Sequence, residues 1–203
     1  MGMPNGIGAV DLLIGFPHTE RSVDDLSFRS LLKDEGSARM QFPAEYMFKD
    51  LPENVGRKMY PIFQACIDLD VPIIANAGLP GPRVPMDCQD VRHFDQVCYD
   101  FPELRTVMCH GAEPWEALAV KLMLKWPGLY FMPSGFAPRY YPKAIIDFAN
   151  TRGSDKIMYA GFYPMGLTLE RIFTELPQVS FKDEVWPKFL RENAMRVFKR
   201  REP

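Results

Sequence analysis

From residue 60 onward, apolar positions switch between two periods. "YPIFQACIDLD" (60–70) places Ile62, Phe63, Cys66, Ile67 and Leu69 at the three-and-four spacing of a helix face. "VPIIANAG" (71–78) is a continuous apolar run closed by Gly78, the pattern of a strand buried on both faces. After a Pro-rich loop, Asp87 is placed to cap a helix carrying Val91, Phe94 and Val97. "LRTVMCHG" (104–111) predicts the next strand. "EPWEALAVKLMLKW" (113–126) predicts a helix with Trp115, Leu118, Leu122 and Trp126 on one face. "GLYFMPS" (128–134) predicts a strand, "YPKAIIDFANTRG" (141–153) a helix ended by Gly153, and "KIMYAG" (156–161) a strand. "LTLERIFTELP" and "WPKFLRENAMRVFKR" close the chain as helices.

Strand and helix thus alternate four times, which predicts a parallel sheet with right-handed crossovers. "GAVDLLIGFP" (8–17) adds a fifth candidate strand, whereas 18–57 is polar and reads as an irregular insertion. The expected fold class is α/β, a TIM (β/α)8-barrel-like domain with about five βα units visible. A closed barrel has eight such units and runs to about 250 residues, with roughly 200 as the floor. The reading is therefore of an incomplete barrel.

Composition narrows the picture. At 203 residues and 47% hydrophobic, the chain supports a single domain, 1–203, with a sizeable core. A net charge of -2 with scattered Lys and Arg offers no basic stripe for nucleic acid. No apolar run reaches the roughly 20 residues of a membrane span. Cys66, Cys88, Cys98 and Cys109 match no zinc or CxxC spacing, so they read as reduced thiols of a cytoplasmic protein.

Four phrases then occur in one order: "VPIIANAG", "FPELRTVMCHGAEPW", "KIMYAGFYP" and "NAMRVF". Together they resemble the amidohydrolase-2 (ACMSD-like) family of the amidohydrolase superfamily, over about residues 58 to 200 with a weaker match at 8–17. The resemblance implies a TIM-barrel hydrolase or decarboxylase that carries one divalent metal such as zinc and often forms a homodimer. It also implies where the chemistry should sit, and this chain departs from it there. The first-strand metal pair falls on Leu13 and Gly15 after Asp11. The fifth-strand histidine falls on Asn76, and the eighth-strand aspartate on Phe162; only the sixth-strand His110 remains. Against the family's order, strands two to four are absent, with a junction expected near 54–60.

His110, at a strand's C-terminal end, is the candidate catalytic acid/base, since imidazole titrates near neutrality. Asn76 can orient a substrate carbonyl, and Arg83 and Arg139 can clamp a carboxylate. Phe162, Tyr163 and Trp115 can line an apolar pocket. Glu113 opens the helix after His110, where an acid is favourable for dipole reasons alone. His93 has no partner at ligand spacing. Asp11 and His18 are weak metal candidates, and a pool of Asp11, His18, Asn76 and His110 is a poor metal set.

The expected function is an amidohydrolase-like hydrolysis of a small carboxylated or cyclic molecule by His110 acid/base chemistry, without the usual metal. One alternative is a catalytically silent barrel that binds a ligand or partners an active subunit. The other is a metal-dependent decarboxylase or hydrolase whose ligands lie in an absent segment. Neither a membrane nor a nucleic acid is an expected partner.

Overall fold

The computed structural model describes residues 41–42, 55–81, 83, 85–163 and 166–198. Strands β1 (Gln41–Phe42), β2 (Ile73–Asn76), β3 (Thr106–Cys109) and β4 (Leu129–Met132) form one sheet in chain order, each parallel to its neighbour. Asn76 pairs with Cys109 and Cys109 with Met132, so these three strands finish level. Parallel neighbours need a crossover, and each crossover here carries a helix. Helix α1 (Val55–Asp68) leads to β2, α2 (His93–Asp100) to β3 and α3 (Glu116–Lys125) to β4; α4 (Lys143–Ala149) follows. The result is an open parallel α/β sheet, an incomplete barrel.

The alternation of side chains along the strands makes two cores. Ile73, Ala75, Met108, Leu129, Phe131, Ile157 and Tyr159 pack on the helices, within the larger apolar cluster. The helices meet them with residues at i, i+3 and i+4: Met59, Ile62, Phe63 and Cys66 on α1, and Phe94, Val97 and Cys98 on α2. Ile74, Val107, Cys109, Tyr130, Met132, Met158 and Ala160 form the opposite face. There the C-terminal residues Ala194, Val197 and Phe198 pack against them.

The expected strand at 156–161 is reduced to a single bridge, Ile157 beside Phe131. Its inner edge makes two ladder bonds, Phe131 N–H to the Lys156 carbonyl (3.0 Å) and Met158 N–H to the Phe131 carbonyl (2.9 Å). Its outer edge is occupied by the C-terminal helical stretch of α5 (Val185–Pro187), a π-helical turn (Lys188–Glu192) and α6 (Asn193–Val197). Tyr159 N–H donates to the Phe189 carbonyl at 2.7 Å, and Asn193 Nδ2 donates to the Ile157 carbonyl at 2.8 Å. The next donor along β4 would be residue 133, a proline with no N–H for the Met158 carbonyl, so the ladder stops at this bridge.

Other expectations are also adjusted. A strand, β1, lies inside the stretch read as an irregular insertion, and pairing with the apolar β2 holds it despite its polar surroundings. Helix α1 begins at Val55 and runs through residues 57 and 58. Asp87 does not cap α2: it lies in a 3-10 turn (Met86–Gln89), and Asp90 accepts the Arg92 N–H at 2.9 Å instead. Helix α3 turns Ala119, Leu122 and Met123 fully inward, leaving Trp115, Leu118 and Trp126 partly buried around them. The 8–17 segment lies outside the described residues. Among the described residues, no helix is long and apolar enough to cross a membrane.

Candidate strand-end site

β3 ends at Cys109, and His110 turns the chain out of the sheet with φ 77°. Ala112, two residues on, has φ 60°, and Phe162, past the Ile157 bridge, has φ 69°. Left-handed backbone at a non-glycine residue costs of order 1–3 kcal/mol and persists only where the surroundings impose it. Two of these three residues face each other. The Phe162 ring meets the His110 ring edge-on, with centroids 5.3 Å apart and planes at 88°.

The other side of the imidazole is fixed by the loop after β4. Buried Ser134 holds His110 Nδ1 with its Oγ at 2.9 Å. Gly135 follows with φ 73°, and a Cβ there would come within 3.1 Å of Nδ1. That position therefore needs glycine for both its backbone and its close approach. Ser134 also meets the ring through its backbone, and among the described residues no side chain bonds Nε2. Burial drives the His110 pKa down from 6.5 to about 4, against a smaller upward pull from Ser134. Near neutral pH the ring is uncharged.

The loops after β2 and β3 are locked backbone to backbone. Ala77 N–H donates to the Cys109 carbonyl and Ala112 N–H to the Ala77 carbonyl, each at 3.0 Å. Gly78, at φ 100°, lies so close that a Cβ would stand 2.6 Å from the Glu113 nitrogen. Half-buried Asn76 accepts the Cys109 S–H on its Oδ1 at 3.1 Å. The Glu113 carboxyl folds back over Gly111, where any Cβ would collide with it. Burial raises its pKa, its own backbone N–H pulls the other way, and the charge of Glu116 adds to the rise.

His110 and Phe162 thus lie just past their strand ends and Asn76 is the last residue of β2, as the sequence reading placed them. Tyr163 follows Phe162 and is 40% exposed. The remaining candidates make their contacts elsewhere. Arg139, in a 3-10 turn (Pro138–Tyr140), stacks over Tyr140 at 4.8 Å and stands 3.9 Å from Glu175. Trp115 packs on the helix-side core. Arg83 is an exposed loop residue. His93 Nε2 bonds the Asp87 carbonyl at 2.7 Å, a loop anchor. Asp11 and His18 lie outside the described residues. Ser134 was not singled out from sequence; its one signal is a Ser-Gly pair directly after a strand and proline.

A divalent ion needs three or four converging N, O or S ligands. Among the described residues, no group of three His, Cys, Asp or Glu converges in that way. The side chain against the imidazole is the apolar Phe162 ring, which offers no ligand atom. The described residues do not fit such an ion.

The family model described as Amidohydrolase matches residues 19–200. No curated protein matches the chain. Among solved structures, an uncharacterised TIM-barrel protein from Bordetella bronchiseptica aligns with TM-score 0.67 and 24% identity, over 85% of this chain and 61% of its own. The dihydroorotase of Campylobacter jejuni aligns with TM-score 0.59 and 14% identity, over 86% of this chain and 62% of its own. A 2,6-dihydroxybenzoate decarboxylase from Rhizobium aligns with TM-score 0.57 and 17% identity, over 85% and 66%. These likenesses carry the fold. The chain spans less than two thirds of the length of each of these structures.

Proposed function

The chain belongs to the amidohydrolase family, and on that premise we propose that its strand ends bind a small cyclic or carboxylated molecule, with His110 as the acid–base group. One observation carries this reading: His110 is gripped through Nδ1 by Ser134 and along its edge by Phe162, with no described side chain bonded to Nε2. When Nδ1–H donates to Ser134 Oγ, the Nε2 lone pair is the free one and can take a proton from water. That water's oxygen would bond to a cyclic amide or lactone carbonyl carbon. The ring C–N or C–O bond would then break, its heteroatom leaving with the proton returned by Nε2. A pKa about 4, below the near-neutral value expected from sequence, makes Nε2 a weak base for the first half of that cycle and its imidazolium a ready donor for the second. Fold-level analogy supports the substrate class, since the similar proteins include one named for dihydroxybenzoate and one named dihydroorotase.

A second reading is favoured by Phe162 itself. An apolar ring faces the imidazole where the family phrase carries an acid, as expected of a barrel that binds without turnover. The two readings separate in one experiment: ligand-observed NMR of the full chain with 2,6-dihydroxybenzoate as a binding probe and with dihydroorotate, whose cyclic amide can open, followed by chromatography of the dihydroorotate sample for product. Turnover that disappears in His110→Gln supports the enzyme. Binding without turnover supports the silent barrel, and turnover unchanged in His110→Gln removes His110 from the chemistry.

A further inference from the structure

The strand-end loop holds a second ionisable side chain that the acid–base reading leaves unused. Glu113 is half-buried, and its Oε2 is buried with no hydrogen-bond partner. A buried carboxyl oxygen without a partner is costly, and native structures leave few of them without a purpose. The surrounding loop is built to hold this one in place. Gly111 leaves the space where a Cβ would collide with the carboxyl, and Gly78 lets the β2 loop lie directly on the Glu113 backbone. The loop also carries the left-handed His110 and Ala112, the kind of imposed backbone that collects at ligand sites.

We propose that Glu113 is a ligand-contacting group of the strand-end site, its half-buried carboxylic acid donating a hydrogen bond to a carboxylate or carbonyl oxygen of the ligand. The inference rests on the strand-end reading above and names the ligand's chemistry: an oxygen rich enough in electrons to draw a proton onto the acid. Burial and the negative charge of Glu116, in the first turn of α3, both favour the protonated acid. An anionic ligand adds a third push in the same direction. Glu113 and the ligand would then share one proton taken from solvent on binding.

The test is calorimetry of the full chain with 2,6-dihydroxybenzoate in two buffers of different ionisation heat, which counts protons taken up. Wild type is expected to take up a proton, and His110→Gln to retain that uptake wherever it still binds. Glu113→Gln, whose amide can still donate, is expected to bind within about threefold of wild type and without uptake. Glu113→Ala is expected to bind roughly tenfold or more weakly, the scale of a lost hydrogen bond to a charged partner. Gly111→Ala should match it, because the new methyl evicts the flexible carboxyl while Glu113 stays in the chain.

Uptake that survives in Glu113→Gln, or Glu113→Ala binding as tightly as wild type, overturns the assignment. If His110→Gln alone abolishes binding, the strand-end site stands without Glu113. If wild type does not bind the probe, the strand-end reading for carboxylated rings falls, and the Glu113 assignment with it.

Discussion

Acid should weaken this protein through one residue in particular. His110 in the folded chain titrates at about 4 rather than 6.5, with burial the main cause. Between those two values the unfolded chain binds a proton that the folded chain refuses. Unfolding free energy therefore falls as pH falls through that window, and the His110 contribution is complete above pH 6.5. At about 1.36 kcal/mol per pH unit, the span from 6.5 to about 4 amounts to about 3 kcal/mol. That is a large share of the roughly 5–15 kcal/mol that holds an ordinary domain folded. Asp90, Asp95 and Glu175, with lowered carboxyl pKa values, add their own losses in stronger acid, and Glu113 works in the opposite sense. Subtraction isolates the imidazole. Urea melts of wild type and His110→Gln at pH 7, 5.5 and 4 should give curves whose difference changes by about 3 kcal/mol across the window. A proton NMR titration of the His110 ring should show its midpoint near 4. A midpoint near 6.5, or identical pH slopes in the two proteins, would refute the reasoning.

Three further outcomes are expected. Gly78→Ala should lose about 2 kcal/mol or more in chemical denaturation, because φ 100° and the nearby Glu113 nitrogen both oppose a Cβ; a change below about 0.5 kcal/mol would contradict this. Phe162→Asp should move the His110 NMR midpoint upward from about 4, by placing a carboxylate where the ring edge now lies; an unmoved midpoint would mean the two side chains are not neighbours in solution. Buried Asn193 donates to the Ser154 carbonyl at 2.7 Å and the Ile157 carbonyl at 2.8 Å, so Asn193→Ala should lower stability by about 2 kcal/mol or more. Asn193→Asp, which turns an acceptor toward two acceptors, should lose more, and equal melting temperatures for the two variants would argue against those bonds.

What could be read from sequence was what hydrophobic period and chain order decide. The runs around Ile73–Asn76, Thr106–Cys109 and Leu129–Met132 are apolar on both faces because the strands are buried on both faces. Strand ends are where loops gather, so His110, Asn76 and Phe162 could be placed together in advance. The single bridge at Ile157 was hidden, because the run 156–161 is as apolar as a strand; what stops its ladder is on the partner, where Pro133 has no N–H to give, and its outer edge is met by the Phe189 carbonyl and the Asn193 amide some thirty residues further along. β1 was hidden for the converse reason: a two-residue pairing, Gln41–Phe42, is too short to show a period, and it forms against the edge that β2 offers. Ser134 gave little signal, since a serine beside glycine is ordinary turn composition and its bond to His110 crosses 24 residues.

The capped edge at Ile157 has a consequence for how this chain ages. An uncovered parallel strand edge is a template for other chains, and proteins screen such edges by covering them. Here the cover is the π-helical turn and the start of the helix after it, through Phe189 and Asn193. Proteolytic trimming behind Trp186 would therefore do more than shorten a tail. It would uncover a β-template flanked by the apolar Met158 and Tyr159, and convert an orderly domain into a seed for self-association.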